Sequence, residues 1–574
     1  MDLGPGLVPQ NERSAFSRQI NYYVDSVLGS DSNDGSHNNP LATFQRAIDL
    51  ADDSNNPGEN NIYLKPGFYD PVIINDEDAL KVFGQGHNPW DTRVVGDNVF
   101  GDAMTILGGS DVRLNNLMFS GARDSGVFAQ NLDYLFVKNV MSYNNDDFGL
   151  IVVNTNQAKV YHSSFRNNGE ESNGGGGAFV QNVDHFRTMH SHYDYNYGYG
   201  ISLNNVDRAQ LVHSTARDNM YAVDAESRTL AEGAGVSSEN IGELLVNGGQ
   251  YSENAEDGIF AANVGSAAFH GVVAQYNGND GIAVESFDSA VVDGGHFVWN
   301  GDDGVELQGF QDVANARTET MSYDVQVFGG VFHNNNEDGL DIETVYSARV
   351  IGIDSRWNDE HGLNVIDVEH LHMIGSYLYQ NRDSGARFFN VDYAQLNDVV
   401  SKDNNDWGVY MQGGDRLNVI GGVFMYNGEY GILADGFGDV TLQGEGFEGL
   451  QRVDIKHAIV LHNYGGVEVN NAYLAKIEGG TYSFNDRDGI QMNNVLRGMF
   501  YHILVQDNGD DGLRYNAGFV DFANAESRDG HQDGYDWFEV DFKGGFYFNN
   551  EYNGINITTF NNNVARFDNH QFTS

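Results

Sequence analysis

The chain has 574 residues, with 31 Lys and Arg against 82 Asp and Glu, a formal charge of −51. That balance excludes nucleic acid and anionic membrane as partners, because affinity for both rests on Lys and Arg. The absence of Cys excludes disulfides, thiolate metal sites and a Cys nucleophile. The 70 glycines exceed the roughly 40 of an average composition. Yet 40% of residues are apolar and 12% aromatic, too much core material for a disordered acidic chain. No apolar run reaches the ~18 residues of a membrane span, so no membrane insertion is expected. Met1–Arg13 lacks the apolar core of a signal peptide.

Residues 1–20 read as a leader and 21–94 as an N-terminal cap with the first coils. Asn39-Pro40 is expected to open an amphipathic helix over 40–52, with Leu41, Phe44, Ile48 and Ala51 on its buried face. Asp31-Ser32-Asn33-Asp34-Gly35 is a partial calcium-loop match without the distal Glu, and ordinary turn chemistry explains it equally. All seven prolines precede residue 90. A ladder bonded on both edges cannot accept Pro, which has no N–H, so residues 95–574 read as one continuous hydrogen-bonded array.

Within that array a glycine opens a short alternating apolar run at Gly126, Gly149, Gly177 and Gly200, at Ala222 in the same phase, then at Gly258, Gly281 and Gly304. It continues at Gly339, Gly362, Gly385, Gly408, Gly431, Gly466, Gly489, Gly512 and Gly554. The commonest spacing is 23 residues, a solenoid period. Four residues earlier stands Asn in most repeats, as at Asn145, Asn173, Asn196, Asn254, Asn358 and Asn404. Residues one and three after the glycine are mainly Ile, Val and Leu and point inward; residues two and four after it point out. The expected fold is all-β: a single-stranded right-handed parallel β-helix of about 17 phased coils, with an N-terminal capping helix. Longer gaps place loop insertions near 227–240, 311–324, 438–457 and 519–541. The last coil shows no lid, so further modules or subunits are expected to pack on it.

The outward columns carry the chemistry. Two residues after the glycine stand Glu306, Asp341, Asn364, Arg387 and Tyr410; four after stand Glu285, Gln308, Glu343, Ile366, Phe389, Gln412 and Asp435. His361 and Trp407 lie on the preceding turns. Glu285, Glu306, Asp341 and Glu343 offer oxygen ligands to Ca²⁺. Arg387 and Tyr410 serve as base or acid, and His361, Asn364, Phe389, Trp407 and Gln412 bind substrate. The insertions near 311–324 and 438–457 wall a groove of about five coils, or ~24 Å. The bland alternative is a solvated polar strand face. A second stripe, Asp257, Asp280, Asp303, Asp338, Asp488 and Asp511, precedes the phase glycines and reads first as Asp-Gly turn chemistry. The four-glycine run Gly174–Gly177 lacks the Lys-Ser/Thr of a phosphate loop and reads as a tight corner.

Tyr22-Tyr23-Val24-Asp25, the Gly29–Gly35 segment and Leu64-Lys65-Pro66-Gly67-Phe68-Tyr69 resemble the opening of secreted β-helix carbohydrate-active proteins. The coils resemble the catalytic modules of mannuronan C5-epimerases and their polysaccharide-lyase relatives. That family's Tyr-Gly-Phe-Asp-Pro-His motif has its nearest match in Tyr221-Ala222-Val223-Asp224-Ala225-Glu226. The resemblance implies catalytic roles for Tyr221 and Asp224. Glu226 stands where the family has His, which removes the group best matched to proton transfer near neutral pH. It also implies export without an N-terminal signal and calcium binding.

Two functions compete. One is an extracellular, calcium-assisted lyase or C5-epimerase of an acidic, alginate-like polysaccharide. The other is a non-catalytic adhesin or structural surface β-helix that binds glycan and calcium. Both place the protein outside the cell or on its surface.

Overall fold

The computed structural model describes residues 19–52, 59–96, 101–170, 175–220, 233–309, 324–436 and 450–516 with their side chains. The strands Ala222–Val223, Leu230–Ala231, Leu442–Gln443, Gly446–Phe447, Glu539–Phe548, Ile555–Thr558 and Val564–Phe572 are described as backbone. The chain forms two compact units. One is Met1–Thr215 with Asn219–Gly233; the other is Ala216–Asp218 with Ala234–Ser574.

Both units are parallel β-helices. In the first, parallel pairing begins at once: Ile20–Val24 lies beside Asn60–Leu64, which lies beside Leu80–Gly84. Residues 21–94, read as a cap with the first coils, hold this pairing, and residues 1–18 of the expected leader lie outside the described residues. The helix is shorter than expected, Phe44–Asp52, and buries Phe44, Ala47, Ile48 and Ala51. Leu41 is not helical, because its N–H is spent on the Tyr23 carbonyl at 2.9 Å. Thr43 caps the helix instead, its Oγ1 accepting the Arg46 N–H at 3.3 Å. Asp31 holds the entrance, accepting the N–H groups of Ala42 and Thr43 at 3.0 and 2.9 Å and the Thr43 hydroxyl at 2.9 Å. The Asp31 carboxylate of the partial calcium-loop match thus ties the turn just ahead of the helix.

In the second unit the register follows the phase glycines. Val236 lies beside Ile259, Ile259 beside Ile282, and Ile282 beside Val305. Further rungs set Leu340 beside Leu363, Ala386 beside Val409, and Leu513 beside Ile555. Inward residues stack into the core: Val284, Leu307, Ile342, Val365, Phe388 and Met411 are wholly buried. Each such side chain contributes roughly 1.5–3 kcal/mol by leaving water. At each corner an Asn points inward. Asn335 donates Nδ2 to Asn358 Oδ1 at 3.1 Å, and Asn358 donates to Asn381 at 3.1 Å. Each Oδ1 also accepts the backbone N–H of the preceding Asn, so the buried turn is satisfied by its neighbour.

Three details of phase differ from the sequence reading. Ala222 does not open a coil: Ala222–Val223 pairs antiparallel with Leu230–Ala231, and Gly235 opens the coil at Val236. Insertions break a fixed-spacing count, so the true phase residue was passed over. The Asn ladder of the first unit runs through Asn168, which bonds Asn145 and Asn196 at 2.9 and 3.2 Å; Asn173 lies outside the described residues. In the second unit Asn463 fills the rung between Asn427 and Asn485, one place out of step with Gly466. The insertions are also narrower than their predicted bounds. Strands already run from Val236, Asp324, Leu450 and Glu539, and the remainder of the 311–324 insertion lies outside the described residues. Among the described residues no helix is long and apolar enough to cross a membrane.

Candidate functional site

The outward columns of the second unit converge as the period requires. Glu306 lies beside Asp341, Asp341 beside Asn364, Asn364 beside Arg387, and Arg387 beside Tyr410. The parallel column runs Glu285, Gln308, Glu343, Ile366, Phe389, Gln412. Rungs are about 4.8 Å apart, so Asp341 and Arg387 are two rungs apart on one face. Tyr221, Asp224 and Glu226 lie outside the described residues.

The face has a buried floor. Asp341 is 7% exposed, Asn364 6% and His361 8%, although the two strand residues point away from the coil interior. Arg387 donates Nη1 to Asn364 Oδ1 at 3.3 Å, and its guanidinium lies 5.7 Å from the Phe389 ring centre. Trp407 stacks on Tyr410 with centroids 4.6 Å apart, and the Tyr410 hydroxyl donates to Gln412 Oε1 at 2.9 Å. Gln308 donates to Glu343 at 3.0 Å.

The turn acids form a ladder of their own. Asp257 accepts the Asp280 N–H at 3.0 Å, Asp280 that of Asp303 at 2.7 Å, and Asp303 that of Asp338 at 2.6 Å. Asp338 accepts the His361 N–H at 2.6 Å, and His361 Nδ1 accepts the Ser384 N–H at 3.2 Å. That last bond puts the proton of a neutral His361 ring on Nε2. The turn-chemistry reading of the stripe therefore holds for the backbone bonds, but it leaves the charge uncompensated. Among the described residues no Lys or Arg pairs at salt-bridge distance with Asp280, Asp303, Asp338 or Asp341. Where the same ladder recurs at Asp488 and Asp511, Arg514 lies 3.2 and 3.1 Å from the two carboxylates.

Burial and like charge act together on this stretch. Burial, then Asp257 and Glu306, push Asp280 up to about 8. Burial, then Glu285 and Glu343, push Glu306 up to about 7. Burial, then Asp338, Glu343 and Glu306, hold Asp341 well above the usual carboxylate range. Burial and then Arg387 push His361 down to about 4. Burial, reinforced by Asp435 and opposed by Arg387, raises Tyr410. Such a cluster holds either protons or a cation.

The residues suit a cation. The donors are carboxylate oxygens, and Asp341 Oδ1 is buried with no hydrogen-bond partner. The four acids expected to bind metal do not close on one point, however. Among the described residues the group whose ligand atoms all lie within 4.8 Å of one another is Asp338, Glu360 and His361. Asp338 was visible only as a turn residue, and Glu360 carried no signal. Only the turn that sets it beside Asp338 could have revealed it.

The family model for the right-handed beta helix region matches residues 92–231 and 314–447. No curated protein matches. Among solved structures the chain is similar to the periplasmic alginate epimerase AlgG, at 11% identity over 77% of this chain and 76% of that one, TM-score 0.26. It is similar to the A-module of the Azotobacter vinelandii mannuronan C-5 epimerase AlgE4, at 13% identity over 83% and 93%, TM-score 0.21. It is also similar to the pectate lyase Pel9A, at 16% identity over 63% and 78%, TM-score 0.24.

Proposed function

We propose that the Asp341–Tyr410 face acts on an acidic polysaccharide outside the cell, removing the C5 proton beside a uronate carboxylate. The observation that carries this reading is the order of the rungs: unneutralised acids at Glu306 and Asp341, then Asn364, then Arg387, then Tyr410. A uronate carboxylate needs a cationic partner before its α-proton becomes acidic, and the Arg387 guanidinium is that partner. It binds rather than abstracts, because a guanidinium does not give up its proton in a protein. Tyr410, raised by burial, keeps its proton at neutral pH and is the acid. Glu343, one of the four acids expected to hold metal, is assigned instead to accept the C5 proton. Breaking C5–H then leaves an electron pair that either expels the C4 oxygen, protonated by Tyr410, or takes the Tyr410 proton at C5 from the opposite side. The first outcome is a lyase, the second an epimerase.

Asp338, Glu360 and His361, whose ligand atoms lie within 4.8 Å of one another, would hold a divalent cation such as Ca²⁺. When bound, it supplies positive charge against which a polyanion can approach a −51 protein. Trp407 stacked on Tyr410 gives a flat apolar surface for a sugar ring.

The test is turnover of alginate, pectate and related polyuronates, with Ca²⁺ and with chelator. Ultraviolet absorbance of an unsaturated uronate identifies a lyase; proton exchange at C5 without it identifies an epimerase. Silence across the panel sinks the catalytic reading and leaves the second one, a non-catalytic glycan- and cation-binding surface. The acid ladder favours that second reading because it recurs at Asp488 and Asp511, away from Arg387.

A further inference from the structure

A second groove lies around the corner of the same coils. It is a cavity of about 350 Å³ that runs along the strand column His370, Tyr393, Arg416, Arg452, with Glu369, Asp392, Asp415 and Gln451 each one residue earlier. The period sets His370, Tyr393 and Arg416 in one column, but Arg452, 36 residues further on, falls out of it.

Its distinguishing feature is a pair of guanidiniums sharing one acid. Arg416 and Arg452 are direct neighbours on adjacent strands. Both bind Asp454, which is 2% exposed: Arg416 Nη2 at 3.0 Å, Arg452 Nε at 2.6 Å and Arg452 Nη2 at 3.0 Å. Arg416 also lies over the Tyr393 ring, 5.6 Å from its centre, and its Nε is buried without a hydrogen-bond partner. By direct contact Asp454 neutralises one of two adjacent positive charges and fixes the orientation of both, and Tyr393 backs Arg416. In a chain with 82 acids and 31 bases, holding two guanidiniums side by side opposes the trend of the whole surface. Repulsion between them is a cost that an anionic ligand removes.

The opposite wall has the other half of a sugar site. Glu369, Asp392 and Asp415 stand on successive rungs, about 4.8 Å apart, near the repeat of a pyranose chain. Carboxylates accept hydroxyl hydrogens and donate none. Asp392 and Asp415 on neighbouring rungs put acceptor oxygens side by side, so this wall favours a ligand that brings hydroxyls.

We infer that this groove is a second, non-catalytic binding site for an acidic glycan, holding a uronate carboxylate on Arg416 and Arg452 and sugar hydroxyls on the acid wall. The inference is independent of any reaction at Arg387.

Calorimetric titration of the full-length protein with hexamers of mannuronate, guluronate and galacturonate tests it, with each hexamer also reduced at its carboxyls to the neutral sugar. Arg387→Ala protein isolates the groove from the proposed catalytic face. At least one hexauronate is expected to bind that variant, with Kd rising at least tenfold on carboxyl reduction. Adding Arg452→Gln is expected to raise Kd at least tenfold. This substitution leaves Asp454 paired with Arg416, so the fold is kept; Arg416→Lys serves as a second variant, and an unchanged melting temperature qualifies either. Binding unaffected by both substitutions overturns the site. So does equal binding of the reduced hexamers, or no binding of any hexamer to Arg387→Ala. Binding without turnover would retain the groove while removing the catalytic reading.

Discussion

The carboxylate of Asp338 accepts the backbone N–H of His361 at 2.6 Å, across a sequence separation of 23 residues. One coil's side chain satisfies the next coil's backbone, and the negative charge it brings is left for a proton or a cation to balance. The ladder from Asp257 to His361 is thereby expected to tie the stability of the second unit to pH.

That coupling has a definite sign. Asp280 and Glu306 are raised to about 8 and about 7 when folded, so the native state holds protons that the unfolded chain releases near pH 4. Their contribution is fully present below pH 4 and is lost as pH rises toward 8. His361, lowered to about 4, works the other way, adding stability as pH rises from 4 to about 6.5. The carboxyls outnumber the imidazole, so thermal stability in chelator is expected to fall between pH 5 and pH 8. Millimolar Ca²⁺ at pH 8 should restore it by replacing the protons. A melting temperature that is flat with pH in chelator would contradict the ladder's charge state.

Asn358→Ala removes donors to Asn381 Oδ1 at 3.1 Å, Phe332 O at 3.1 Å and Ser355 Oγ at 2.9 Å. It also strips the acceptor from the Asn335 N–H and Nδ2. Each orphaned buried group costs about 1–3 kcal/mol. Urea denaturation should show a loss of this order per group, whereas an exposed Asn such as Asn156 should change stability little.

Gly408→Ala and Gly352→Ala separate two uses of glycine. A Cβ at Gly408 would sit 2.4 Å from the Gly431 carbonyl oxygen and 2.8 Å from Asn427 Nδ2, both fixed by the ladder. At Gly352 the φ of 65° is strained for alanine, but nothing lies within 4 Å. The first substitution is expected to cost about 1–3 kcal/mol or more through overpacking, and the second about 1 kcal/mol through strain alone. Denaturation midpoints of the two variants check the order.

On the proposed catalytic face, Arg387→Ala should lower kcat/KM on a polyuronate by about 10²–10³-fold. Tyr410→Phe, which keeps the ring on Trp407 and removes the hydroxyl with its bond to Gln412, should lower kcat by about 10²-fold or more with KM little changed. A Tyr410→Phe enzyme with full kcat would remove the residue from the reaction.

Much of this was legible because a β-helix turns sequence period into spatial neighbourhood. Knowing that residues 23 apart share a column was enough to set Asp341, Asn364, Arg387 and Tyr410 on one face. The failures came where the period broke. Ala222 looked like a phase residue and is part of a hairpin, while Gly235, hidden behind an insertion, opens the coil. Asn173 stood at the expected spacing from Gly177, yet the ladder runs through Asn168, because the extra residues enter between the Asn and the strand. The Arg416–Asp454–Arg452 arrangement had no sequence signal, since Arg416 and Arg452 are 36 residues apart across an insertion and fall out of phase.

The sequence by itself determined the winding, the inward apolar columns and the Asn ladder, because each depends only on which residue type recurs at each place in a period. Only the folded chain sets which described acids are buried without a Lys or Arg at salt-bridge distance, which histidine nitrogen accepts a backbone N–H and which two arginines share one aspartate. Those outcomes depend on where a turn lets a side chain lean and on what its neighbours leave unpaired, and a repeat count contains neither.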